Sequence, residues 1–134
     1  RRAAPVMVVD ASAVLAIYFG EPERTAFLDI LTATDQPVMA PVNAWEVLAR
    51  AQSAHGASGL SEAETLIAAL GISIATSGLD DVRGAIAAFG RYGRGTPAGL
   101  NLGDSFAYAL AQKLQRPLLF KGDDFTKTDI ARVG

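Results

Sequence analysis

Five acidic residues stand where predicted strands end or predicted helices begin. They are Asp10, Glu46, Asp104, Asp123 and Asp124. Asp10 follows the apolar run 6–9, which is typical of a strand covered on both faces. Because ligands bind at the carboxyl ends of parallel strands, we expect these carboxylates to meet at one sheet edge. Crowded carboxylates repel unless a cation neutralises them, and Mg²⁺ or Mn²⁺ prefers oxygen ligands, so the pattern predicts a metal site.

Each acid also has a structural interpretation when it is taken singly. Asp10, or Ser12 beside it, would cap a helix by accepting hydrogen bonds from the free amides of the first turn. Asp104 suits the first turn of another helix, where the helix dipole favours negative charge. Glu46 suits a solvated helix face, although apolar residues such as Trp45 flank it, and the two acids after the last strand suit a turn. The metal site is predicted from their coincidence at one edge.

The composition predicts one compact globular domain spanning 1–134. Half of the 134 residues are apolar and 19% are charged, which argues against disorder. The absence of cysteine excludes thiolate metal ligands and disulfides. The single histidine, His55, lies in a Gly-rich polar segment, 52–59, that predicts an exposed loop and disfavours a Ser-His-Asp triad. A formal net charge of −2 gives no bulk basic field for nucleic acid but leaves a local site open.

Targeting patterns are not recognisable in the sequence. No stretch approaches the roughly 20 apolar residues of a membrane span, and no signal peptide opens the chain. We therefore expect a cytoplasmic protein without membrane association. Residues 1–5 are expected to be a short tail or a cloning remnant, with Met7 as a natural start before the first strand.

Strands and helices alternate along the chain, which predicts an α/β fold with a mostly parallel central sheet flanked by helices. Strands are predicted at 6–9, 38–40, 72–75 and 118–120. Helices are predicted at 12–19, 21–34, 41–54, 61–70, 80–89 and 104–114. The helix at 61–70 is expected to begin at a capping box formed by Ser61 and Glu64. The Gly-rich stretch 90–103 is expected to be the longest irregular connection.

Four motifs in this order resemble the PIN domain, and more narrowly the VapC toxins of bacterial toxin–antitoxin pairs. The motifs are Val8-Val9-Asp10-Ala11-Ser12-Ala13, Asn43-Ala44-Trp45-Glu46-Val47, Asn101-Leu102-Gly103-Asp104-Ser105-Phe106-Ala107-Tyr108-Ala109 and Leu118-Leu119-Phe120-Lys121-Gly122-Asp123-Asp124-Phe125. The resemblance covers nearly the full chain at ordinary spacing. It implies a single PIN-like domain with Mg²⁺-dependent endoribonuclease activity, for which Mn²⁺ is a possible substitute. It also implies a VapB-like antitoxin that places a basic side chain in the acidic pocket, and a homodimer.

The resemblance implies roles for the acids and for two polar neighbours. Asp10, Glu46 and Asp104 match the three principal acids of the family. Asp123 matches its more variable fourth acid, and the adjacent Asp124 is an alternative for that position. Two further residues match supporting positions: Ser12 is the small hydroxyl residue beside the first acid, and Asn101 is a polar residue outside the ligand set. The implied reaction is metal-assisted phosphodiester hydrolysis, which needs no histidine.

Basic residues near the predicted edge are candidates for guiding an RNA backbone, because an acidic pocket alone repels RNA. They are Arg91, Arg94, Lys121 and Lys127. Tyr92 would stack on a base in this interpretation. The alternative is that the four basic residues are ordinary solvated surface and that Tyr92 belongs to the core.

Two other classes of protein remain to be compared with the nuclease. A receiver-like phospho-acceptor domain also gathers acids and Mg²⁺ at a sheet edge, but it needs paired acids after strand one and a further Asp after strand three. This chain has Asp10-Ala11-Ser12 and Ala75-Thr76-Ser77-Gly78 at those places. A haloacid-dehalogenase phosphatase needs a second Asp where Ser12 stands. In a non-enzymatic protein-binding module the acids would serve only as caps.

Overall fold

The computed structural model describes residues 7–133, so the predicted tail 1–5 and the first residue of the predicted first strand lie outside the described residues. Its described part contains four strands and five helices. The strands are β1 (Met7–Val9), β2 (Pro37–Met39), β3 (Ser73–Ile74) and β4 (Leu118–Leu119). The helices are α1 (Ala11–Tyr18), α2 (Arg24–Thr32), α3 (Pro41–Ala69), α4 (Leu79–Tyr92) and α5 (Leu102–Leu114).

The sheet has the order β3-β2-β1-β4, and all its strand pairs are parallel. Alternate residues of β1 serve two different cores. Met7 and Val9 pack with α1, α2 and the inner face of α3, whereas Val8 packs with α5 on the other face. A strand that is buried on both faces needs a continuous apolar sequence, which explains the run before Asp10. The predicted α/β class with helices on both faces of a parallel sheet is confirmed.

The prediction of a loop at 52–59 is wrong. Helix α3 continues through this segment and is interrupted only at Gly56, whose φ of 67° and ψ of −149° are not helical. Gly59 allows the two halves to meet closely, because a Cβ there would collide with the carbonyl group of Ala51. The single histidine, His55, lies beside this kink and is hydrogen-bonded through Nδ1 to the hydroxyl of Tyr18. The predicted helix start at Ser61 is therefore also wrong, since Ser61 is inside α3.

The connection between α4 and α5 is shorter than predicted. Helix α4 continues to Tyr92 and α5 begins at Leu102, so the irregular segment is 93–101. Ala85 and Ala88 are the buried residues of α4, and these small side chains let it pack against α5. The larger apolar residues of α4 face outward. They form what we call the α4 stripe: Leu79, Val82, Ile86 and Phe89, with exposed fractions of 62%, 42%, 66% and 42%.

Among residues 7–133, no helix is both long enough and apolar enough to cross a membrane.

Candidate metal centre

Asp10 lies at the carboxyl end of β1 and is also the N-cap of α1. Its Oδ2 accepts a hydrogen bond from the backbone N–H of Ser12 at 3.0 Å, and the residue is 5% exposed. Burial raises the pKa of Asp10, and the charge of Asp124 raises it further, whereas hydrogen bonds with Ser12 lower it. Capping therefore occupies one carboxylate oxygen of a buried acid, and the charge of Asp124 disfavours its ionisation.

Glu46 lies in the second turn of α3, where it is half-buried. Its Oε1 accepts a hydrogen bond from Nδ2 of Asn43 at 2.9 Å. The carboxylate packs directly on the backbone of Gly103 in the first turn of α5, because a Cβ at Gly103 would overlap it. Burial raises the pKa of Glu46, as does the charge of Asp10. Glu46 thus bridges from one helix to the start of another.

Asp104 occupies the third position of α5 and is 8% exposed. It forms a reciprocal capping box with Asn101: the amide of Asp104 donates to Asn101 Oδ1 at 2.8 Å, and the amide of Asn101 donates to Asp104 Oδ2 at 3.1 Å. Burial raises the pKa of Asp104 to about 7, with further contributions from the charges of Asp10, Asp124 and Glu46. Asp104 can therefore be both a helix cap and a candidate metal ligand. One of its oxygens accepts the capping hydrogen bond, and three other acids influence its ionisation.

The two acids after β4 share one turn but differ in their effect on the other acids. Both lie in an exposed turn, in which the carbonyl oxygen of Asp123 accepts hydrogen bonds from the amide and the hydroxyl of Thr126. Asp124 is the member of the pair whose charge raises the pKa of Asp10 and of Asp104. This coupling favours Asp124 over Asp123 as the acid nearer to Asp10 and Asp104.

The start of that turn is fixed by Ser12, the predicted supporting hydroxyl. Ser12 Oγ accepts a hydrogen bond from the backbone amide of Lys121 at 3.0 Å. The side chain of Ser12 therefore ties the segment after β4 to the beginning of α1. Asn101, the other predicted supporting residue, acts as the N-cap of α5. Both residues hold backbone segments that present acids.

The chemistry of the acids fits a hard divalent cation. Asp10, Glu46 and Asp104 each use one carboxylate oxygen in a hydrogen bond, and within the described residues the second oxygen of each accepts none. Free carboxylate oxygens on fixed side chains are the donors that Mg²⁺ or Mn²⁺ prefers. In residues 7–133, however, no three acidic or histidine side chains approach closely enough to form a ready-made metal cluster. Mutual repulsion between the carboxylates gives a physical reason for this spacing.

The predicted RNA-guiding residues are not equivalent. Lys121 Nζ lies 3.1 Å from an oxygen of Glu21 and 3.5 Å from one of Glu23, so its charge is already paired. Arg91 lies 3.7 Å from the carboxylate of Asp129 and covers the ring of Tyr92. Tyr92 in turn packs edge-to-face on Tyr108, as the core interpretation expects. Arg94 and Lys127 are exposed and form no ion pair with any residue in the range 7–133.

Two residues of the site were not singled out from the sequence. Asn43 donates to Glu46, and Gly103 provides the surface on which its carboxylate lies. The available signal was a polar residue one helical turn before Glu46 and a glycine immediately before Asp104. Trp45, in contrast, is 67% exposed and does not make the environment of Glu46 apolar.

The fold and the site together define a class of protein: a parallel α/β domain with acids at the carboxyl edge of its sheet. Residues 7–131 match the family model of the PIN domain, and the chain belongs to that family. It is 40% identical over 126 residues to the ribonuclease VapC42 of Mycobacterium tuberculosis, covering 92% of this chain and 96% of VapC42. The predicted resemblance to VapC proteins of the PIN family is thereby confirmed.

Two solved structures share this fold. One is VapC20 of Mycobacterium tuberculosis, a toxin that cleaves the sarcin–ricin loop; it matches with a TM-score of 0.78 at 13% identity, covering 95% of this chain and 98% of VapC20. The other is a toxin–antitoxin complex from Klebsiella pneumoniae, with a TM-score of 0.68 at 19% identity, covering 95% of this chain and 93% of the matched chain.

Proposed function

We propose that this protein is a metal-dependent endoribonuclease toxin that is neutralised by a cognate antitoxin. The observation that supports this most directly is the burial of Asp10 and Asp104 beside the half-buried Glu46 at the carboxyl edge of the sheet, where the charge of Asp124 also disfavours ionisation of Asp10 and Asp104. Repulsion of this kind is tolerated where a cation is to be bound. Similarity to VapC42, a ribonuclease, supports RNA as the substrate, and the cytoplasm is then the proposed compartment.

Asp10, Glu46 and Asp104 are the proposed ligands, with Asp124 in preference to Asp123 as the fourth acid. A bound Mg²⁺, or Mn²⁺ in its place, would supply the positive charge needed to activate water and to neutralise a scissile phosphate. The protein's own residues provide fixed oxygens for this cation. Ser12 and Asn101 keep the acid-bearing segments in place, and the unpaired charges of Arg94 and Lys127 attract the RNA backbone.

The direct test is RNA cleavage with Mg²⁺, with Mn²⁺ and with excess EDTA. We expect cleavage with either metal and none with EDTA. A thermal melt in the same buffers checks binding independently, because a cation that binds only the folded protein raises its melting temperature. Cleavage that persists undiminished in EDTA would contradict the proposal, and a protein-binding module without activity would show neither cleavage nor a metal-induced rise.

The antitoxin is proposed to place an arginine among the four acids. A guanidinium forms paired, charge-assisted hydrogen bonds with carboxylates and would relieve their repulsion. The fold shared with a chain of a toxin–antitoxin complex supports such a partner. Co-expression with the small protein encoded next to this gene should yield a complex and suppress toxicity. Toxicity that is unchanged by that protein, with no complex, would contradict this part.

A homodimer is proposed through the α4 stripe. The stripe residues recur at spacings of three and four, so they form one apolar face, beside an apolar groove of about 620 Å³ between α4 and α5. Helix α4 has acids in its first turn and Arg91 in its last turn. Two copies packed antiparallel would bring Asp80 and Asp81 of one helix near Arg91 of the other, where their exposed intramolecular ion pairs could exchange partners. A second copy of this chain is therefore the expected occupant.

Ile86→Glu should convert the dimer to a monomer in sedimentation experiments, because it places a charge in the centre of the stripe. Ala87→Glu is the matched control, since Ala87 is an exposed residue outside the stripe on the same helix. If the parent protein sediments as a monomer, or if both variants behave alike, the stripe is not a dimer interface.

A further inference from the structure

Asn43 is a fully buried polar residue at the start of α3, with 0% of its surface exposed. Its Nδ2 donates to Glu46 Oε1 at 2.9 Å and to the carbonyl oxygen of Gly103 at 3.0 Å. One amide group therefore joins the acid of α3 to the first turn of α5. Gly103 directly precedes Asp104, so the same contact relates two of the four acids to each other.

The orientation of the Asn43 amide is determined by its partners. An ionised carboxylate and a carbonyl oxygen both accept hydrogen bonds, so the NH₂ group must face them. This leaves Oδ1 buried without a hydrogen-bond partner among the described residues. A buried acceptor without a donor lowers stability. Leucine has a similar size and would remove the unpaired Oδ1, but it would leave Glu46 Oε1 and the Gly103 carbonyl oxygen without their Asn43 donor. The asparagine is therefore explained by the two acceptors that it serves, one of which is the Glu46 carboxylate.

We propose that Asn43 is a positioning residue, which fixes the Glu46 carboxylate against the first turn of α5, where Asp104 lies. A glutamate has several rotatable bonds, and its head group would otherwise sample several positions. The amide of Asn43 and the backbone of Gly103 together restrict that group to one place. Asn43 acts through Glu46 and does not itself contact substrate. This inference rests on the proposed nuclease function.

Asn43→Leu is the principal test. We expect kcat for RNA cleavage to fall about 10- to 100-fold, as is usual when a residue that orients a metal ligand is lost. KM for RNA should change little, because the RNA-binding surface is untouched. The metal-free melting temperature should fall, because the buried Gly103 carbonyl oxygen loses its donor. The rise in melting temperature on adding Mg²⁺, measured from that lower value, should also shrink, which a purely structural role of Asn43 would not cause. A variant with parental kcat and parental metal response overturns the proposal.

A double-mutant cycle with Glu46→Ala separates positioning from a general structural role. If Asn43 acts through Glu46, Asn43→Leu should cause no further loss of the Mg²⁺-induced stabilisation once the carboxylate is gone. Independent, additive losses would overturn the proposal. Asn43→Ser serves if the leucine variant does not fold, since its short hydroxyl cannot reach both partners, and it should show the same fall in kcat. If the parent protein itself does not cleave RNA with Mg²⁺, the nuclease proposal fails, whereas an active parent with an active Asn43→Leu variant rejects only this inference.

Discussion

Helices α4 and α5 begin with the same local device, yet their acids are in opposite electrostatic surroundings. In each helix an aspartate at the third position accepts a hydrogen bond from the amide of the N-cap residue: Asp81 from Gly78 at 2.8 Å and Asp104 from Asn101 at 3.1 Å. The hydrogen bonds from Gly78 and from Lys113 Nζ, at 3.0 Å, lower the pKa of Asp81. Burial and three other acids raise the pKa of Asp104 to about 7.

Ionised Asp81 therefore stabilises the fold, whereas ionised Asp104 destabilises it. Asp81 has a cation nearby and gains from being ionised. The charged groups that act on Asp104 are all acids, so its ionisation destabilises the folded protein. A cation bound among these acids would reverse that effect. The helix cap accounts for both aspartates locally, and only the neighbouring elements distinguish them.

The largest expected effect is the loss of RNA cleavage in Asp104→Asn. The asparagine keeps a capping side chain but is a poor ligand for a hard cation, so the rate should fall more than the 10- to 100-fold typical of residues behind the ligands. Asp81→Asn is the matched control at the same helix position and should retain full activity. Initial rates on a fluorescent RNA substrate measure both, and an active Asp104→Asn protein would remove Asp104 from the site.

The comparison also predicts opposite pH dependences in the presence of EDTA. Between its ordinary pKa of 3.8 and about 7, Asp104 holds a proton in the folded state that the unfolded chain releases, so stability falls as pH rises through this window. The expected loss is on the order of a few kcal/mol, from about 1.4 kcal/mol per pKa unit. Asp81 has a lowered pKa, so its contribution is present above 3.8 and is lost only at more acidic pH. Urea denaturation from pH 4 to pH 8 measures the first effect.

Asp104→Asn should flatten that slope, whereas Asp81→Asn should leave it unchanged. An identical pH dependence in the parent protein and in Asp104→Asn would show that the raised pKa of Asp104 does not govern stability.

Glycines in the same two helices give a further contrast. A Cβ at Gly103 would overlap the Glu46 carboxylate, whereas a Cβ at Gly84 would meet Ala109 Cβ at an ordinary 3.6 Å. Gly103→Ala should therefore reduce cleavage by about 10- to 100-fold through displacement of Glu46. Gly84→Ala should leave cleavage unchanged and stabilise α4 by about 0.5–1 kcal/mol. Rates and urea midpoints for the two variants decide this, and equal rates would show that Glu46 needs no glycine beside it.

The smallest effect is expected for Lys113→Met. It removes the cation beside Asp81, but 58% of the lysine side chain is exposed, so the ion pair is well screened. The protein should lose about 0.5 kcal/mol of stability and no activity. A larger loss of stability in urea denaturation, or a change in cleavage rate, would mean that this ion pair also influences the acids at the start of α5.

The sequence by itself determined the fold class and the order of the elements, except that it divided α3 into two helices. Apolar runs such as 6–9 and 118–120 are long enough for strands buried on both faces, and the alternation with helical segments leaves a parallel sheet as the simple arrangement. It also indicated Asp10, Glu46 and Asp104, because an acid after a buried strand or at a helix start has a defined place relative to the sheet edge. Their assignment as metal ligands stays a prediction.

Only the tertiary structure decided which groups face these acids. Local pattern treats Asp81 and Asp104 alike, and the separation appears when Lys113 approaches one and Asp10 the other. The kink at Gly56 depends on close approach of two halves of α3, and the outward α4 stripe depends on which face meets α5. Neither the kink nor the outward stripe can be derived from hydrophobic periodicity alone, because periodicity shows which helix face is apolar but not which element packs against it. Asn43 is the extreme case, since its two acceptors are 3 and 60 residues away in sequence.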